Sequence, residues 1–198
     1  MKSFETLWRW VMDRTNHGVM TVQERSEIEH VFNLMRDCQC SSYLEIGTAE
    51  GNSLYVLGHA VKETGTIDYV DYGEPHTLEP RQQAISAMRG SRVIGHSLGD
   101  STNPETFIKS ISLCHMCGHT SKWFDCILID GGHDFATVLS DSILYAPLAT
   151  KYVFWHDIQL PEVRAAYDWF KKRWACLGEF SEFIASDSFG YGILKVKQ

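Results

Sequence analysis

A chain of 198 residues, 44% of them hydrophobic and 22% charged, is long enough to bury a full core and too apolar for a disordered segment. Its formal net charge of −7 argues against a general nucleic-acid binder, because such proteins rely on Lys and Arg to neutralise phosphates. No apolar run approaches the roughly 20 residues that a membrane helix needs, and the first residues do not have the pattern of a signal peptide. These features predict a cytoplasmic protein that binds neither nucleic acid nor membranes.

Two amphipathic helices are predicted before the first strand. Residues 4–13 carry an apolar stripe at helical spacing, and a capping box of Thr21 and Glu24 opens a second helix that runs to about Asp37. We expect residues 1–40 to form a helical cap that covers one edge of a sheet. A lid over a bound cofactor, or a contact between the subunits of a homodimer, is the alternative.

The segment 43–53 is the centre of the pattern. A short apolar run at 43–46 predicts a buried strand, a turn with Gly47 and Gly51 follows, and Asn52 or Ser53 caps an apolar helix at 54–62, with Gly65 as its C-cap. Such a unit opens many nucleotide-binding α/β sheets, because glycines let the backbone approach a ligand closely. The spacing Glu-x-Gly-x-x-x-Gly is neither the dinucleotide fingerprint nor a P-loop, and a tight turn in another doubly wound fold would also explain it.

Strands and helices alternate through the rest of the chain, as is typical of an α/β sheet. The predicted strands cover 66–71, 91–95, 124–130 and 152–155. Helices are predicted at 79–89, from Pro104, at 135–145 and from Pro161 to about Trp174. A last strand pair, 182–185 and 191–197, is joined by a turn-rich segment and should therefore be antiparallel.

Acids and histidines stand at or just after the predicted strand ends. In open α/β sheets ligands bind beyond the carboxyl ends of the strands, so we expect these side chains to meet at one site. The stability of the fold alone does not explain these acids and histidines, because burying such groups costs free energy unless they are paired or ligated. They are Glu45, Asp71, Asp100, Asp130, His133, His156 and Asp157.

The turn at 45–51 resembles motif I of the class I S-adenosylmethionine-dependent methyltransferases. The segments 129–134, 146–148 and 155–157 are similar to the small-molecule O-methyltransferases related to macrocin O-methyltransferase and to the cephalosporin hydroxylase-like proteins. The resemblance covers about residues 41–197. It implies one methyltransferase domain over 1–198, with a Rossmann-like core at 41–198. The implied core is a doubly wound, mostly parallel seven-stranded sheet of order 3-2-1-4-5-7-6, with an antiparallel last strand. It also implies S-adenosylmethionine as cofactor and methylation of a small-molecule hydroxyl.

The resemblance also implies roles for individual residues. Asp71 would bind the ribose and Asp100 the adenine, within a cofactor site made of Glu45, Gly47, Thr48, Gly51, Ser53, Asp71, Asp100, Ser101 and Asp130. His133 would be the general base, and a divalent metal, Mg²⁺ or Mn²⁺, would be held by Asp130, His156 and Asp157. The family has a carboxylate where this chain has His156. Oxygen ligands suit Mg²⁺ whereas imidazole favours Mn²⁺, Fe²⁺ or Zn²⁺, so the identity of the metal and its presence stay open.

Three further hypotheses come from weaker signals. Cys38 and Cys40 precede the first strand and Cys114 and Cys117 precede the fourth, so these four thiols could hold a structural zinc ion; thiols packed in a loop are the simpler explanation. A non-catalytic S-adenosylmethionine-binding module that serves a protein partner is the main functional alternative. An NAD(P)-dependent oxidoreductase is a third, which the missing dinucleotide glycine pattern weakens.

Overall fold

The fold was obtained as a computed structural model that describes residues 2–19, 23–88, 93–116, 124–186 and 188–197. Within these residues, strands and helices alternate along the chain after two N-terminal helices. The helices are α1 (Phe4–Asn16), α2 (Arg25–Asp37), α3 (Asn52–Gly58), α4 (Pro75–Met88), α5 (Pro104–Met116), α6 (Phe135–Tyr145) and α7 (Pro161–Arg173). The strands are β1 (Ser42–Ile46), β2 (Thr66–Asp71), β3 (Val93–Leu98), β4 (Phe124–Ile129), β5 (Ala149–Trp155), β6 (Gly178–Phe183) and β7 (Tyr191–Val196). None of the described helices is long and apolar enough to cross a membrane.

The strands form one sheet of order β3-β2-β1-β4-β5-β7-β6, which confirms the predicted order. The first five run parallel, and β7 is antiparallel to both β5 and β6. Strand β4 is mostly apolar because it lies at the centre of the sheet, where helices cover both faces. One face packs under α1, α2 and α3, and the other packs under α6 and α7.

The ends of the three central parallel strands lie at the same level, and this alignment forms the site. Ile46 on β1 pairs with Ile129 on β4, which in turn pairs with Trp155 on β5. Beyond the paired residues, the Asp130 N–H donates to the Ile46 carbonyl at 2.8 Å, and the His156 N–H donates to the Ile129 carbonyl at 3.2 Å. The residues that follow each strand therefore emerge side by side.

The N-terminal cap shares its core with the sheet. Leu7 and Val11 of α1 and Phe32 of α2 are completely buried in a cluster that also contains Tyr43 of β1 and Leu54 of α3. Of the predicted capping box, Thr21 lies outside the described residues, and Glu24 occupies the N-cap position of α2 without a side-chain capping hydrogen bond.

Several predicted boundaries were wrong. Gly51, in a left-handed conformation, is the N-cap of α3 rather than Asn52 or Ser53, and the helix ends at Gly58 rather than near residue 62, so Gly65 is not its C-cap. Tertiary hydrogen bonds override the helical pattern here, because the Lys62 N–H donates to the Cys40 carbonyl ahead of β1. Helix α4 begins four residues earlier than predicted. Strand β3 ends three residues later than predicted, and the predicted helix end at Gly90 lies outside the described residues. Strand β6 begins at Gly178 rather than at residue 182, because its exposed position at the edge of the sheet tolerates polar residues.

Asp68, in the middle of β2, is a buried acid with no hydrogen-bond partner among the described residues. Burial raises the pKa of Asp68 to about 7. The unfolded chain therefore loses this proton near pH 4 while the folded chain keeps it, so the free energy of unfolding falls as the pH rises from about 4 to about 7. We expect Asp68→Asn to raise the free energy of unfolding by about 1–3 kcal/mol at pH 8 and to change it little at pH 4, measured by urea denaturation.

Asp125→Asn is the matched control, and its expected effect on the free energy of unfolding has the opposite sign. Asp125 accepts hydrogen bonds from the Ser41 N–H and hydroxyl, both at 2.7 Å, and pairs with Lys151 at 3.0 Å. These contacts outweigh burial and lower the pKa of Asp125, so its charge stabilises the fold above its unfolded pKa. Asp125→Asn should destabilise the protein at pH 8. A pH-independent effect of Asp68→Asn would mean that the carboxyl of Asp68 is not held neutral.

Candidate active site

A cavity of about 590 Å³ opens beyond the carboxyl ends of the parallel strands. Its wall is formed by the loop after β1, the end of β2, the turn after β3 and the segments that follow β4 and β5. The structure brings ten of the predicted site residues to this wall: Gly47, Thr48, Gly51, Ser53, Asp71, Asp100, Ser101, Asp130, His133 and Asp157. The other two, Glu45 and His156, lie behind it.

The loop after β1 depends on Gly47, which lies against the backbone that follows β4. Gly47 has a φ of +82°, and a Cβ atom there would stand 2.1 Å from the carbonyl oxygen of Asp130. Gly51 also has a φ of +82°, and its Cβ position is 3.0 Å from the Cβ of Ala84 on α4. The two glycines of the motif therefore let the loop after β1 pass closely between α4 and the segment that follows β4.

Glu45 supports the loop from beneath rather than facing the cavity. Its carboxylate is completely buried and accepts hydrogen bonds from the Tyr43 hydroxyl at 2.6 Å and the Ser53 hydroxyl at 2.7 Å. Burial raises the pKa of Glu45 to about 8 against the effect of these two hydrogen bonds. The contact with Ser53 ties β1 to the first turn of α3. The predicted role of Glu45 in the cofactor site stays a prediction.

Asp71 lies at the cavity wall with its carboxylate already engaged. One oxygen accepts the N–H groups of Thr48 at 3.0 Å and Ala49 at 2.8 Å; the other accepts the N–H of Gly73 at 2.8 Å and pairs with Arg81 at 2.6 Å. A carboxylate offers about four lone-pair positions, so a ribose hydroxyl would share an oxygen with donors that are already present. Asp71 visibly fixes the glycine loop, and its contact with the ribose stays a prediction.

Asp100 and Ser101 form the wall on the β3 side. One oxygen of Asp100 accepts the N–H of Thr102 at 2.9 Å and its hydroxyl at 2.7 Å, which shapes the turn ahead of α5. The Ser101 carbonyl accepts a hydrogen bond from the Tyr145 hydroxyl at 3.0 Å. Both residues line the cavity as predicted, and the role of Asp100 toward adenine stays a prediction.

Two histidines and two aspartates form a connected cluster after β4 and β5. His133 Nε2 lies 2.8 Å from one oxygen of Asp157, and the other oxygen of Asp157 lies 3.1 Å from His156 Nδ1. The same nitrogen of His156 is 3.1 Å from Asp130. Asp157 has a φ of +58°, a conformation that is rare outside glycine and that turns its carboxylate back toward both histidines.

The charges in this cluster stabilise one another. Burial lowers the pKa of His156, but the carboxylates of Asp130 and Asp157 outweigh it and raise that pKa to about 10. Burial opposes ionisation of Asp157, yet hydrogen bonds from both histidines hold its pKa well below the ordinary range. The hydrogen bond to Asp157 raises the pKa of His133. Asp157 therefore strengthens His133 as a proton acceptor.

Three residues of this cluster could hold a metal ion. One ligand atom each from Asp130, His156 and Asp157 lies within 4.8 Å of the others, and among the described residues this is the only such group of three. His156 Nδ1 stands between two carboxylate oxygens, a position that either a proton or a divalent cation can satisfy. A set of two carboxylates and one imidazole suits Mn²⁺ or Fe²⁺. Mg²⁺ prefers a site made of oxygen ligands only.

Sequence reasoning missed two residues beside this cluster. Gln23 lines the cavity, donates a hydrogen bond to Asp130 at 2.9 Å and accepts one from the Tyr191 hydroxyl at 3.2 Å. The ring of Tyr191 lies 4.7 Å from that of His156. Gln23 precedes α2 in the cap, more than 100 positions from Asp130, so no local pattern could have indicated the contact.

Two arginines hold the loop after β1 from two sides. Sequence reasoning missed both of them. Arg14 of α1 donates to the Asn52 side chain at 2.7 Å, to the Glu50 carbonyl at 3.1 Å and to the Pro80 carbonyl at 2.7 Å. Arg81 of α4 pairs with Asp71 and is only 2% exposed. No sequence pattern indicated these contacts, because the partners of both arginines lie in other segments of the chain.

This architecture and this cavity define a class of protein. A doubly wound sheet with a glycine turn after β1, an acid at the tip of β2 and an antiparallel β7 between β5 and β6 is the arrangement of the class I S-adenosylmethionine-dependent methyltransferases. The sequence agrees with this class. Residues 44–158, more than half of the chain, match the family model described as a methyltransferase domain, and the chain belongs to that family. It is an S-adenosylmethionine-dependent methyltransferase rather than an NAD(P)-dependent oxidoreductase.

Solved structures share the fold at low sequence identity. An O-methyltransferase from Bacillus cereus in complex with SAH has a TM-score of 0.70 and 14% identity, over 100% of this chain and 93% of that one. The O-methyltransferase TomG from Streptomyces achromogenes, involved in tomaymycin synthesis and in complex with SAM, has a TM-score of 0.67 and 13% identity, over 100% and 92%. SAH-bound PaMTH1 from Podospora anserina has a TM-score of 0.62 and 14% identity, over 98% and 88%. The comparison with curated proteins gave no significant match.

Proposed function

We propose that this methyltransferase methylates a hydroxyl group of a small molecule, with His133 as general base and with assistance from a divalent metal. The observation that carries the proposal is the pair of His133 and Asp157 at the cavity wall, with Nε2 and Oδ2 2.8 Å apart. A hydroxyl is a weak nucleophile at neutral pH, so its methylation needs a group that removes its proton. His133 is half exposed and therefore accessible to an acceptor.

Because one ring nitrogen of His133 is hydrogen-bonded to Asp157, the two ring nitrogens would have different roles in proton transfer. If Nε2 carries the hydrogen that it donates to Asp157, Nδ1 holds the lone pair and takes the proton of the acceptor hydroxyl. Asp157 then stabilises the imidazolium that forms, because its carboxylate stays ionised beside both histidines. When bound, S-adenosylmethionine would supply the sulfonium methyl group, and the residues of the cavity wall would position it relative to His133.

Asp130, His156 and Asp157 are the residues that would hold the metal. A divalent cation at this position would stabilise negative charge on the acceptor oxygen. Gln23 would keep Asp130 oriented toward the site, since its amide already donates to the carboxylate oxygen on the far side from His156. The B. cereus protein and TomG are O-methyltransferases, which also favours an oxygen acceptor here.

The test is methyl transfer to a panel of acceptors. The full chain is incubated with S-adenosylmethionine and phenolic, catechol, sugar and amine compounds, with Mn²⁺, with Mg²⁺ or with a chelator, and formation of S-adenosylhomocysteine is measured. Turnover with hydroxyl compounds only, increased by Mn²⁺, supports the proposal. Tight binding of S-adenosylhomocysteine without turnover on any acceptor would favour a non-catalytic module, and turnover on amines alone would refute the oxygen acceptor.

Metal binding gives a separate prediction. We expect Mn²⁺ to bind more tightly than Mg²⁺, and we expect Asp130→Asn to weaken Mn²⁺ binding by more than about 100-fold, because removing a ligand should cost more than removing a partner of a ligand. Isothermal titration calorimetry measures both. Asp168→Asn, which changes an exposed carboxylate far along α7, serves as the control and should leave the affinity unchanged. Equal affinities in all three proteins would contradict this metal site.

A further inference from the structure

Three cysteines of the described residues lie together at the end of the sheet opposite the cavity. Cys38 follows α2, Cys40 precedes β1 and Cys126 lies near the start of β4. The Sγ atoms of Cys38 and Cys126 are 3.8 Å apart, although 88 positions separate the residues along the chain. Cys40 is completely buried, and its thiol donates to the Ser42 carbonyl at 3.4 Å.

The predicted zinc site at Cys38, Cys40, Cys114 and Cys117 stays a prediction. Of its four members, Cys117 lies outside the described residues, and Cys114 belongs to α5 but its side chain is not described. Cys126, which that hypothesis left out, is the thiol that contacts Cys38. The sulfur atoms of Cys38, Cys40 and Cys126 do not all lie within 4.8 Å of one another, unlike the ligand atoms of Asp130, His156 and Asp157.

The two thiols in contact differ in environment. Cys38 is half-buried, whereas Cys126 is completely enclosed. The hydrogen bond from Cys126 lowers the pKa of Cys38 against the effect of burial, and the ammonium of Lys151 lowers it further. Burial raises the pKa of Cys126 well above its ordinary value. An accessible thiol of lowered pKa beside a shielded partner is the arrangement in which one cysteine reacts first and the other resolves the product.

We propose that Cys38 and Cys126 form a peroxide-reactive dithiol, a modification site separate from the methyltransferase centre. To form the disulfide, the Sγ atoms need to approach from 3.8 Å to the bond length of about 2.05 Å. Lys151 holds the backbone at this point, because its ammonium donates to the Cys38 carbonyl at 3.0 Å and to Asp125 at 3.0 Å. The proposal does not depend on the acceptor or metal proposed above.

The oxidant is hydrogen peroxide, and the reaction has two steps. The Cys38 thiolate attacks one oxygen of the peroxide, the O–O bond breaks and hydroxide leaves, so that Cys38 becomes a sulfenic acid. The sulfur of Cys126 then attacks the sulfur of Cys38, the S–O bond breaks and a second hydroxide leaves. The two thiol protons convert both hydroxides to water, and two electrons pass from the sulfur atoms to the peroxide. An added thiol reverses the reaction by exchange.

The test uses the full chain treated with hydrogen peroxide, blocked with an alkylating agent and digested without reduction. We expect a peptide pair joined through Cys38 and Cys126, with a mass about 2 Da below the sum of the two reduced peptides. The disulfide would close a long loop of the unfolded chain, so the oxidised protein should melt about 5 °C or more above the reduced one, and dithiothreitol should reverse the shift.

Variants make the result specific. Cys38→Ser should lose both the cross-linked peptide and the shift in melting temperature, and Cys176→Ser, which removes an exposed cysteine, should keep both. A disulfide between Cys40 and Cys126, preferential oxidation of Cys176, or a linkage within the pair Cys114 and Cys117 would each overturn the proposal. So would irreversible oxidation of Cys38 with Cys126 still reduced.

Discussion

Replacing His133 by Gln is expected to lower kcat for methyl transfer by roughly 10²- to 10⁴-fold, which is the usual contribution of a general base. The dissociation constant of S-adenosylhomocysteine should stay within about twofold, because His133 acts on the acceptor hydroxyl and not on the cofactor. The physical reason is the loss of the proton acceptor that Asp157 supports at 2.8 Å. Steady-state kinetics with an acceptor found in the panel and calorimetry with S-adenosylhomocysteine measure the two quantities.

His76→Gln is the matched control. His76 also lines the cavity and is more exposed than His133, but it pairs with Glu74 at 3.4 Å, whereas His133 pairs with Asp157. Its replacement should change kcat by less than about threefold. If the two variants lose activity equally, or if His133→Gln keeps the wild-type rate, His133 is not the base.

Gly47→Ala should reduce the free energy of unfolding by more than about 3 kcal/mol and abolish binding of S-adenosylhomocysteine. The added Cβ would stand 2.1 Å from the carbonyl oxygen of Asp130 and 2.5 Å from the Cα of Gly131, and both are backbone atoms that cannot rotate away. Either the loop after β1 or the segment after β4 must move, and both belong to the cavity wall. Urea denaturation and calorimetry give the two measurements.

Gly18→Ala separates the steric effect from the backbone effect. Gly18 has a φ of +88°, close to that of Gly47, but a Cβ there would meet no atom of the described residues within 4 Å. This variant should lose only the roughly 1 kcal/mol that a left-handed conformation costs an alanine, and it should bind S-adenosylhomocysteine normally. Equal losses in the two variants would show that close packing of the glycine loop is not what Gly47 provides.

The sheet and the position of the site could be predicted because they depend on local patterns. The apolar run of β4 indicated a strand of a parallel sheet buried on both faces, and α6 was predicted with the observed bounds. Parallel strands bring their carboxyl ends together, so the acids and histidines after β4 and β5 were expected to meet, and they do.

The rest depended on contacts between distant parts of the chain. Glu45 was assigned to the cofactor site because the turn at 45–51 resembles motif I, and that resemblance did not indicate that Tyr43 and Ser53 hold Glu45 beneath the loop. The early end of α3 results from hydrogen bonds to the residues ahead of β1, and Gln23 reaches Asp130 across more than 100 positions. Periodicity and spacing describe neighbours along the chain and contain no information about such partners.

The reach of the N-terminal helices has a practical consequence for anyone who expresses part of this protein. The match to the family model begins at residue 44, yet Arg14 donates to the loop after β1, and Gln23 donates to one oxygen of Asp130. A fragment trimmed to the matched region would keep His133 and lose the side chains that brace both halves of the cleft. Boundaries for truncated genes, chimeras or fused tags should therefore be chosen from these long-range contacts rather than from the matched segment.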